Sequence, residues 1–90
     1  MDVKEAVRIA KEYASSVFEG ETIRIEEVWF EHPQWYVTIG LQRAEPATGM
    51  EVMLGKRGGY RTHYKTVSID DATRVIQSVK NRENMPVSPL

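Results

Sequence analysis

Residues 35–41 read WYVTIGL, and their alternation decides the fold. Successive side chains of an extended strand point to opposite faces, so every second residue shares a face. One face receives the large apolar side chains, which are Trp35, Val37, Ile39 and Leu41. A slip of one residue would expose all four, so the register is strongly specified. The stretch predicts a half-buried central strand.

The N-terminal segment has the periodicity of an amphipathic helix. Its apolar residues recur at spacings of three and four and fall on one stripe, formed by Val3, Ala6, Val7, Ala10, Ala14 and Val17. Asp2 and Glu5 form an acidic version of the capping box, and Gly20 supplies the left-handed residue that ends a helix. We predict a helix over residues 3–19.

Residues 22–32 are rich in β-branched and aromatic side chains, which favours a strand. Two pairs of apolar residues fall on opposite faces of that strand, namely Ile23 with Ile25 and Val28 with Phe30. A bulge near Glu26 and Glu27 would reconcile the two pairs. The His-Pro-Gln sequence at 32–34 then predicts a tight connection to the central strand.

A long excursion follows the central strand. Residues 44–60 contain one proline and four glycines, and the alternation of Met50, Val52 and Leu54 with polar or flexible residues is typical of a short strand inside it. Residues 61–69 are rich in threonine, tyrosine and valine and predict the third main strand.

The last element is ambiguous from its pattern. Residues 70–74 predict a turn, in which Asp70 and Asp71 act as turn and capping residues. Residues 75–82 suit either a strand or a helix capped by Asp70, and the five-residue connection favours the strand. The tail, residues 84–90, contains two prolines and predicts irregular structure.

The sequence therefore predicts an α+β fold, with one N-terminal helix packed on a curled four-stranded antiparallel sheet. A single domain spans residues 1–83, since 90 residues provide for only one core. The predicted core consists of Val3, Ala6, Val7, Ala10, Ala14, Val17, Ile23, Ile25, Trp35, Val37, Ile39, Leu41, Val67, Ile69, Val75 and Val79.

Composition excludes several classes of protein. The chain has no cysteine, which removes disulfides, thiolate metal sites and cysteine nucleophiles. No run of 18 apolar residues is present, and the N-terminus is charged and amphipathic, unlike a secretory signal. We expect a cytoplasmic protein without a membrane partner.

The closing segment resembles a known pattern. Residues 64–80, YKTVSIDDATRVIQSVK, are similar to the strand, turn and strand of PepSY-like domains, and the order of a helix followed by a Trp-containing strand agrees with them. The sequence departs from that pattern at Arg74, where such turns usually carry glycine. The resemblance implies a helix on a curled antiparallel sheet, similar to cystatin-like architectures, and a binding or regulatory role without catalysis.

Charge is distributed unevenly along the chain. The net charge is −1, but residues 1–45 carry −4 and residues 46–90 carry +3. A basic, glycine-rich segment, residues 55–65, contains four cations that predict an anion-binding surface, namely Lys56, Arg57, Arg61 and Lys65. Tyr60 or Tyr64 would stack on a base if the partner were a nucleic acid, although a pI near 6.1 is low for such a domain.

Aromatic residues supply the other surface signal. Trp29 and Tyr36 are expected to share the sheet face opposite the helix, either exposed together or covered by the 44–60 loop. Trp29, Tyr36 and Tyr60 are the predicted partner-binding residues. The sequence favours a small non-catalytic protein-interaction or regulatory module, with self-association as one form. Anionic-ligand or nucleic-acid binding through residues 55–65 is the alternative.

No catalytic, metal-binding or cofactor-binding residues are predicted. His32 precedes a proline in a turn, which is typical of a surface or capping residue. His63 would assist a hydrolytic reaction only if it met Ser68 or Asp70, and no motif places them together. A phosphate-loop interpretation of residues 49–56 fails, because five residues separate the glycines and Arg57 follows the lysine.

Overall fold

The computed structural model describes residues 1–45, 47–55 and 58–82. Its elements are α1 (Val3–Val17), β1 (Thr22–Glu31), β2 (Gln34–Glu45), α2 (Gly49–Met53), β3 (Gly59–Asp70) and β4 (Ile76–Arg82). The strands form one antiparallel sheet in the order β1-β2-β3-β4. The predicted α+β fold of a helix and a four-stranded antiparallel sheet is confirmed. The predicted irregular tail, residues 84–90, lies outside the described residues.

The core forms between α1 and one face of the sheet. It consists of Ala6, Ala10, Ala14, Val37, Ile39, Leu41, Val67 and Ile69. Three alanines on the inner stripe of α1 have no exposed surface, so the helix backbone approaches the sheet closely. The predicted register of the central strand is confirmed, and the half-buried Trp35 packs against this core.

The ends of α1 follow the predicted chemistry in part, because the Glu5 carboxylate pairs with Arg74 and does not complete the capping box, and the helix is shorter. The Asp2 carboxylate accepts a hydrogen bond from the Glu5 amide at 2.9 Å. Phe18 is the C-cap and Gly20 has a φ of +81°, so α1 ends two residues before the predicted boundary. Val3 and Val17 were wrongly assigned to the core: they occupy the first and last helical positions and are 51% and 52% exposed.

The predicted bulge in β1 is confirmed. The register with β2 shifts between Ile25 and Glu27, so one extra residue enters the edge strand. The shift lets Ile23, Ile25 and Val28 all pack against the core, which a regular alternation would forbid.

The last element is a strand, as predicted, but its inward face differs from the prediction. A turn precedes it, in which the Asp70 carbonyl accepts from the Arg74 amide at 2.8 Å and Arg74 has a φ of +63°. A register shift against β3 then brings Ile76, and not Val75, onto the core. Val75 closes the turn and is 54% exposed, so its assignment to the core was wrong.

The middle of the chain forms a projecting hairpin over residues 43–61, here called the arm, of which the structure describes residues 43–45, 47–55 and 58–61. The pairing of β1 with β2 ends at Gln42, and the described pairing of β4 with β3 ends at Tyr64. Within the described residues, the arm strands therefore pair with each other and with no third strand. The short strand predicted around residues 50–54 is wrong, because α2 forms there. Thr48 and Glu51 make a complete capping box, which selects a helical turn over an extended one.

The tip of the arm is apolar and unburied. Met50, Val52, Met53 and Leu54 are between 61% and 88% exposed. Within the described ranges, no helix is long and apolar enough to cross a bilayer.

Candidate functional site

The two faces of the sheet have different surroundings. α1 packs on the face that carries Val37, Ile39 and Leu41, and no other element in the described part of the chain packs on the opposite face. We call that second face the open face. By the strand register it carries Trp29, Tyr36, Thr38, Gly40, Tyr60, Tyr64, Thr66, Ser68, Ser78, Lys80 and Arg82.

One end of the open face carries an aromatic pair. Trp29 and Tyr36 are directly opposed in the register of β1 and β2, and their rings stack with centroids 5.2 Å apart and planes 11° apart. Both side chains are half-buried. The described part of the arm lies beyond the other end of the sheet, so it does not cover the stack. The pair presents a flat apolar surface of the type found at protein contacts.

The middle of the open face is a network of hydroxyl groups. Thr38 and Thr66 share a hydrogen bond of 3.1 Å, and Ser68 and Ser78 share one of 2.6 Å. The Thr38 side chain is fully buried although no helix covers it, because its neighbours on the sheet surround it. Buried side-chain polar atoms in the described residues all have hydrogen-bond partners, so this surface is preorganised.

An ion pair crosses the open face. The Arg82 guanidinium donates to the Glu27 carboxylate at 2.7 Å and to the Thr38 hydroxyl at 3.1 Å, which ties the edge strand β4 to the edge strand β1. Gly40 lies beside this pair, and a Cβ there would come within 2.8 Å of the Glu26 carboxylate. The missing side chain at Gly40 therefore makes room for the acidic bulge.

Tyr60 lies on the same face as the stack but at its far end. It is opposed to Ala44 in the register, whereas Tyr36 is opposed to Ser68. Eight residues of β3 separate these positions, which corresponds to about 26 Å. Tyr60 is 72% exposed. The predicted partner-binding residues therefore occupy the two ends of one face.

The structure describes two of the four predicted anion-binding residues. Lys56 and Arg57 lie outside the described residues. Arg61 and Lys65 occupy the helix side of the sheet, where they line a cleft with a volume of about 570 Å³ beside the C-terminal end of α1. The Lys65 ammonium lies 5.4 Å from the Phe18 ring centroid and donates to the Asn81 side chain.

Sequence reasoning missed Arg43, which lines the same cleft and is opposed directly to Arg61 in the register. A signal was present in the sequence. Arg43 follows Leu41 at the same parity, so a charged residue continues the inward face of the central strand. Such a residue indicates that the core has ended and that the same face has become accessible to water.

In the structure, His63 does not meet Ser68 in a hydrolytic arrangement. His63 lies on the helix side of β3, whereas Ser68 lies on the open face and shares its hydroxyl hydrogen bond with Ser78. In the described ranges, no cluster of three His, Asp or Glu residues could hold a metal ion.

Asp70 and Asp71 are structural carboxylates, as predicted for a turn. The backbone amide of Thr73 donates to Asp70 at 2.8 Å and holds the pKa of that carboxyl below its ordinary value of 3.8. The Trp35 indole donates to Asp71 at 2.8 Å and lowers the pKa of Asp71 in the same way, with the chain N-terminus 3.4 Å away. These contacts tie the turn to the central strand and to the chain N-terminus.

Comparisons of the chain with protein-family models, with curated proteins and with solved structures find no match. The resemblance to PepSY-like and cystatin-like domains and the cytoplasmic location therefore stay predictions.

Proposed function

We propose that the chain is a non-catalytic protein-interaction module that self-associates, two copies packing open face to open face. The observation that supports this most is the position of the aromatic side chains. Trp29 and Tyr36 lie at one end of a face on which no other described element packs, and Tyr60 lies at the other end. A sheet face with a preorganised polar centre and aromatic ends is suited to a protein contact.

The edges of the sheet are less suited to association than its face. Both edge strands carry a register shift, in β1 beside Glu26 and in β4 beside Gln77. A bulge twists an edge and interrupts its row of free amides and carbonyls, which discourages strand addition. The exposed Lys80 side chain also discourages strand addition at the β4 edge.

A two-fold axis between two open faces makes the contact self-complementary. If the axis runs across the strands, the strand directions of the two copies oppose each other, and Tyr60 of one copy approaches Trp29 and Tyr36 of the other. The midpoint between the two ends is the Gly40 and Tyr64 pair in the register. The apolar tip of each arm then reaches beyond Tyr36 towards the β1–β2 turn of its partner, where Phe30 is 44% exposed.

Charge also favours contact between the arm and the remainder of a second copy. The arm, residues 43–61, contains four basic and two acidic side chains, a net charge of +2, whereas the rest of the chain carries −3. Opposite charges increase the rate of encounter and disfavour arrangements that place two arms together.

Light scattering coupled to size-exclusion chromatography tests the proposal. We expect a mass near twice 10.3 kDa at high protein concentration. Tyr36→Asp should shift the mass towards the monomer, since it places a charge in the contact. The matched control, Lys11→Asp on the exposed face of α1, should leave the mass unchanged. A chain ending at residue 83 should also remain dimeric.

A monomer at all concentrations would contradict self-association. Equal masses for wild type and Tyr36→Asp, with both proteins folded by circular dichroism, would exclude the open face as the contact. Loss of the dimer only in the chain that ends at residue 83 would assign association to the C-terminal tail instead.

Nucleic-acid binding, the alternative, is less well supported. Tyr64 lines the cleft that contains Arg61 and Lys65, but Tyr60 lies on the open face. A strand stacked on Tyr60 would need its base on one face and its phosphates on the other, and base stacking and phosphate contact normally share one groove.

A further inference from the structure

We infer that the arm of each copy docks along β3 and β4 of its partner's open face, with Tyr60 in a groove there and the apolar tip of α2 against Val75. This inference rests on the proposed self-association and adds the contact that fixes how the two copies are aligned. It is supported by the ordered apolar tip, by a groove with unpartnered polar groups, and by opposite charges at the two ends of the sheet.

The tip of the arm holds apolar side chains in water within an ordered turn. The Thr48 hydroxyl accepts from the Glu51 amide at 3.2 Å, and the Glu51 carboxylate accepts from the Thr48 amide at 3.1 Å, so the polar groups of α2 serve its own cap. The Leu54 amide donates to the Met50 carbonyl at 3.1 Å. Single apolar side chains are ordinary on a surface, but four exposed ones on one turn form a patch typical of a contact.

The tip lies far from Val75 of its own copy. β2 and β3 pair over twelve residues each, from Gln34 with Asp70 at one end to Glu45 with Gly59 at the other. These two pairs are about 36 Å apart, because each strand residue advances about 3.3 Å. The tip lies beyond the second pair, whereas Val75 lies beside the first, where its carbonyl accepts from the Asp70 amide at 2.9 Å. Only a second copy can bring the tip onto a Val75 side chain.

A groove on the open face offers a site for an aromatic side chain. It has a volume of about 350 Å³ and lies over Ser68 of β3, between Tyr36 of β2 and Lys80 of β4. The side chains of Gln34 and Gln77 also line it. Among the described residues, these two amides and the Lys80 ammonium have no hydrogen-bond partner. A tyrosine in the groove would cover the Tyr36 ring and give its hydroxyl to these polar groups.

The register of the strands brings Tyr60 of a second copy to this groove. Tyr60 and Ser68 each lie four residues from Tyr64, so a two-fold axis across the strands at Tyr64 places Tyr60 over Ser68 of the partner. The arm pairing ends five residues from that axis and Asp70 lies six residues from it, which are about 16 and 20 Å. The tip, which continues beyond the arm pairing, is therefore level with Val75 of the partner.

Charge favours a second copy over a lipid surface as the occupant of the tip. The arm has a net charge of +2, whereas the two turns at the opposite end of the sheet, residues 31–34 and 70–75, contain three acidic side chains and one basic. Opposed strand directions therefore place unlike charges together and keep the two arms apart. An anionic bilayer would attract the arm but repel the rest of the chain, which carries −3.

Cross-linking of mixed single-cysteine chains tests the alignment, since the chain has no cysteine of its own. Met53→Cys is mixed with Val75→Cys at a concentration where the mass is dimeric, and bismaleimidoethane is added. We expect at least about tenfold more mixed covalent dimer than from the control mixture of Met53→Cys with Val17→Cys. Val17 is a matched control because it is 52% exposed, as Val75 is 54% exposed, but lies at the C-terminal end of α1.

The outcomes separate this inference from the proposed function. A dimeric mixture in which the Val75→Cys and Val17→Cys chains react equally would overturn the docking of the arm and leave the open-face contact in place. Preferential coupling of two Met53→Cys chains would overturn it too, since it would place the arms together. A monomeric mixture would overturn both proposals.

A lipid surface is tested in parallel with vesicles of phosphatidylserine and phosphatidylcholine. We expect no more co-sedimentation of wild type than of Met53→Asp, together with a shift of the Met53→Asp mass towards the monomer. Co-sedimentation that Met53→Asp abolishes, with its dimer mass unchanged, would assign the tip to a lipid surface and overturn the inference.

Discussion

Arg74 is the residue whose backbone conformation conflicts most with its side chain. Its φ of +63° lies in the left-handed region, which costs a residue with a Cβ more than it costs glycine. The guanidinium offsets part of that cost, since it pairs with Glu5 of α1 at 2.9 Å. The glycine usual at this position of PepSY-like turns would adopt the same φ without strain.

We expect Arg74→Gly to raise the free energy of unfolding by about 0.5–1 kcal/mol, because relief of backbone strain exceeds the value of an exposed ion pair. Arg74→Ala, the control, loses the ion pair and keeps the left-handed backbone, so it should be no more stable than wild type. Urea denaturation at pH 7 measures both. A glycine variant no more stable than the alanine variant would show that the backbone is not strained at this position. A glycine variant that is more stable than the alanine variant but less stable than wild type would show that the ion pair outweighs the strain.

Asp70 and Asp71 make the stability of the fold dependent on pH. Their carboxylates have a lowered pKa in the folded chain, so they bind protons less readily there than in the unfolded chain. Their contribution is present above the ordinary pKa of 3.8 and is lost as the pH falls through the folded values.

The urea midpoint should therefore decrease as the pH is lowered through 3.8 and further into acid. Asp70→Asn combined with Asp71→Asn should lower the midpoint at pH 7 and flatten its decline in acid, since the amides do not titrate. An equally steep decline in the double variant would mean that other carboxylates cause the acid dependence.

At the scale of elements, β2 and the arm should differ sharply in their effect on global stability. Ile39 is fully buried between α1 and the sheet, whereas Val52 is 61% exposed on α2. We expect Ile39→Ala to cost about 2–5 kcal/mol of unfolding free energy. The matched truncation Val52→Ala should cost less than about 0.5 kcal/mol. Urea denaturation of dilute protein compares them, and a large loss for Val52→Ala would show that α2 packs on the body in the monomer.

The spacing of apolar residues in the sequence correctly predicted the elements that follow a single helical or strand periodicity. The change of parity between Ile25 and Val28 located the bulge, and the spacing of the alanines located the inner stripe of α1. The same reasoning failed for α2, because a capping box overrides a period-2 pattern over five residues. It also failed at Val75, since the register shift around Gln77 depends on the turn that Arg74 completes.

The candidate sites were predictable only in part. The common face of Trp29 and Tyr36 follows from strand parity, and the structure brings the two rings together. The cleft was not predictable from the sequence. It forms where α1 ends and the β2–β3 hairpin extends further than the helix that covers it. That relation depends on contacts between Phe18 and the β3 residue Lys65, which are distant in sequence.

For the whole molecule, the position of Tyr60 relative to the aromatic stack is the central feature. A monomer would leave both ends of the open face and the apolar arm tip in water. A face-to-face dimer with opposed strand directions would bring each Tyr60 over Ser68 of its partner, beside the Trp29 and Tyr36 stack. Only the dimer brings Tyr60 of one copy close to Trp29 and Tyr36 of another, and this proximity between copies can be measured directly.

Paramagnetic relaxation enhancement in a mixed sample provides that measurement. The chain has no cysteine, so Tyr60→Cys accepts a single spin label. We mix labelled chains at natural isotope abundance with unlabelled ¹⁵N chains, so that any broadening arises between copies. The account predicts broadening of amides around Trp29 and Tyr36. No broadening at concentrations where the mass is dimeric, or broadening confined to α1 or to the outer edge of β4, would contradict it.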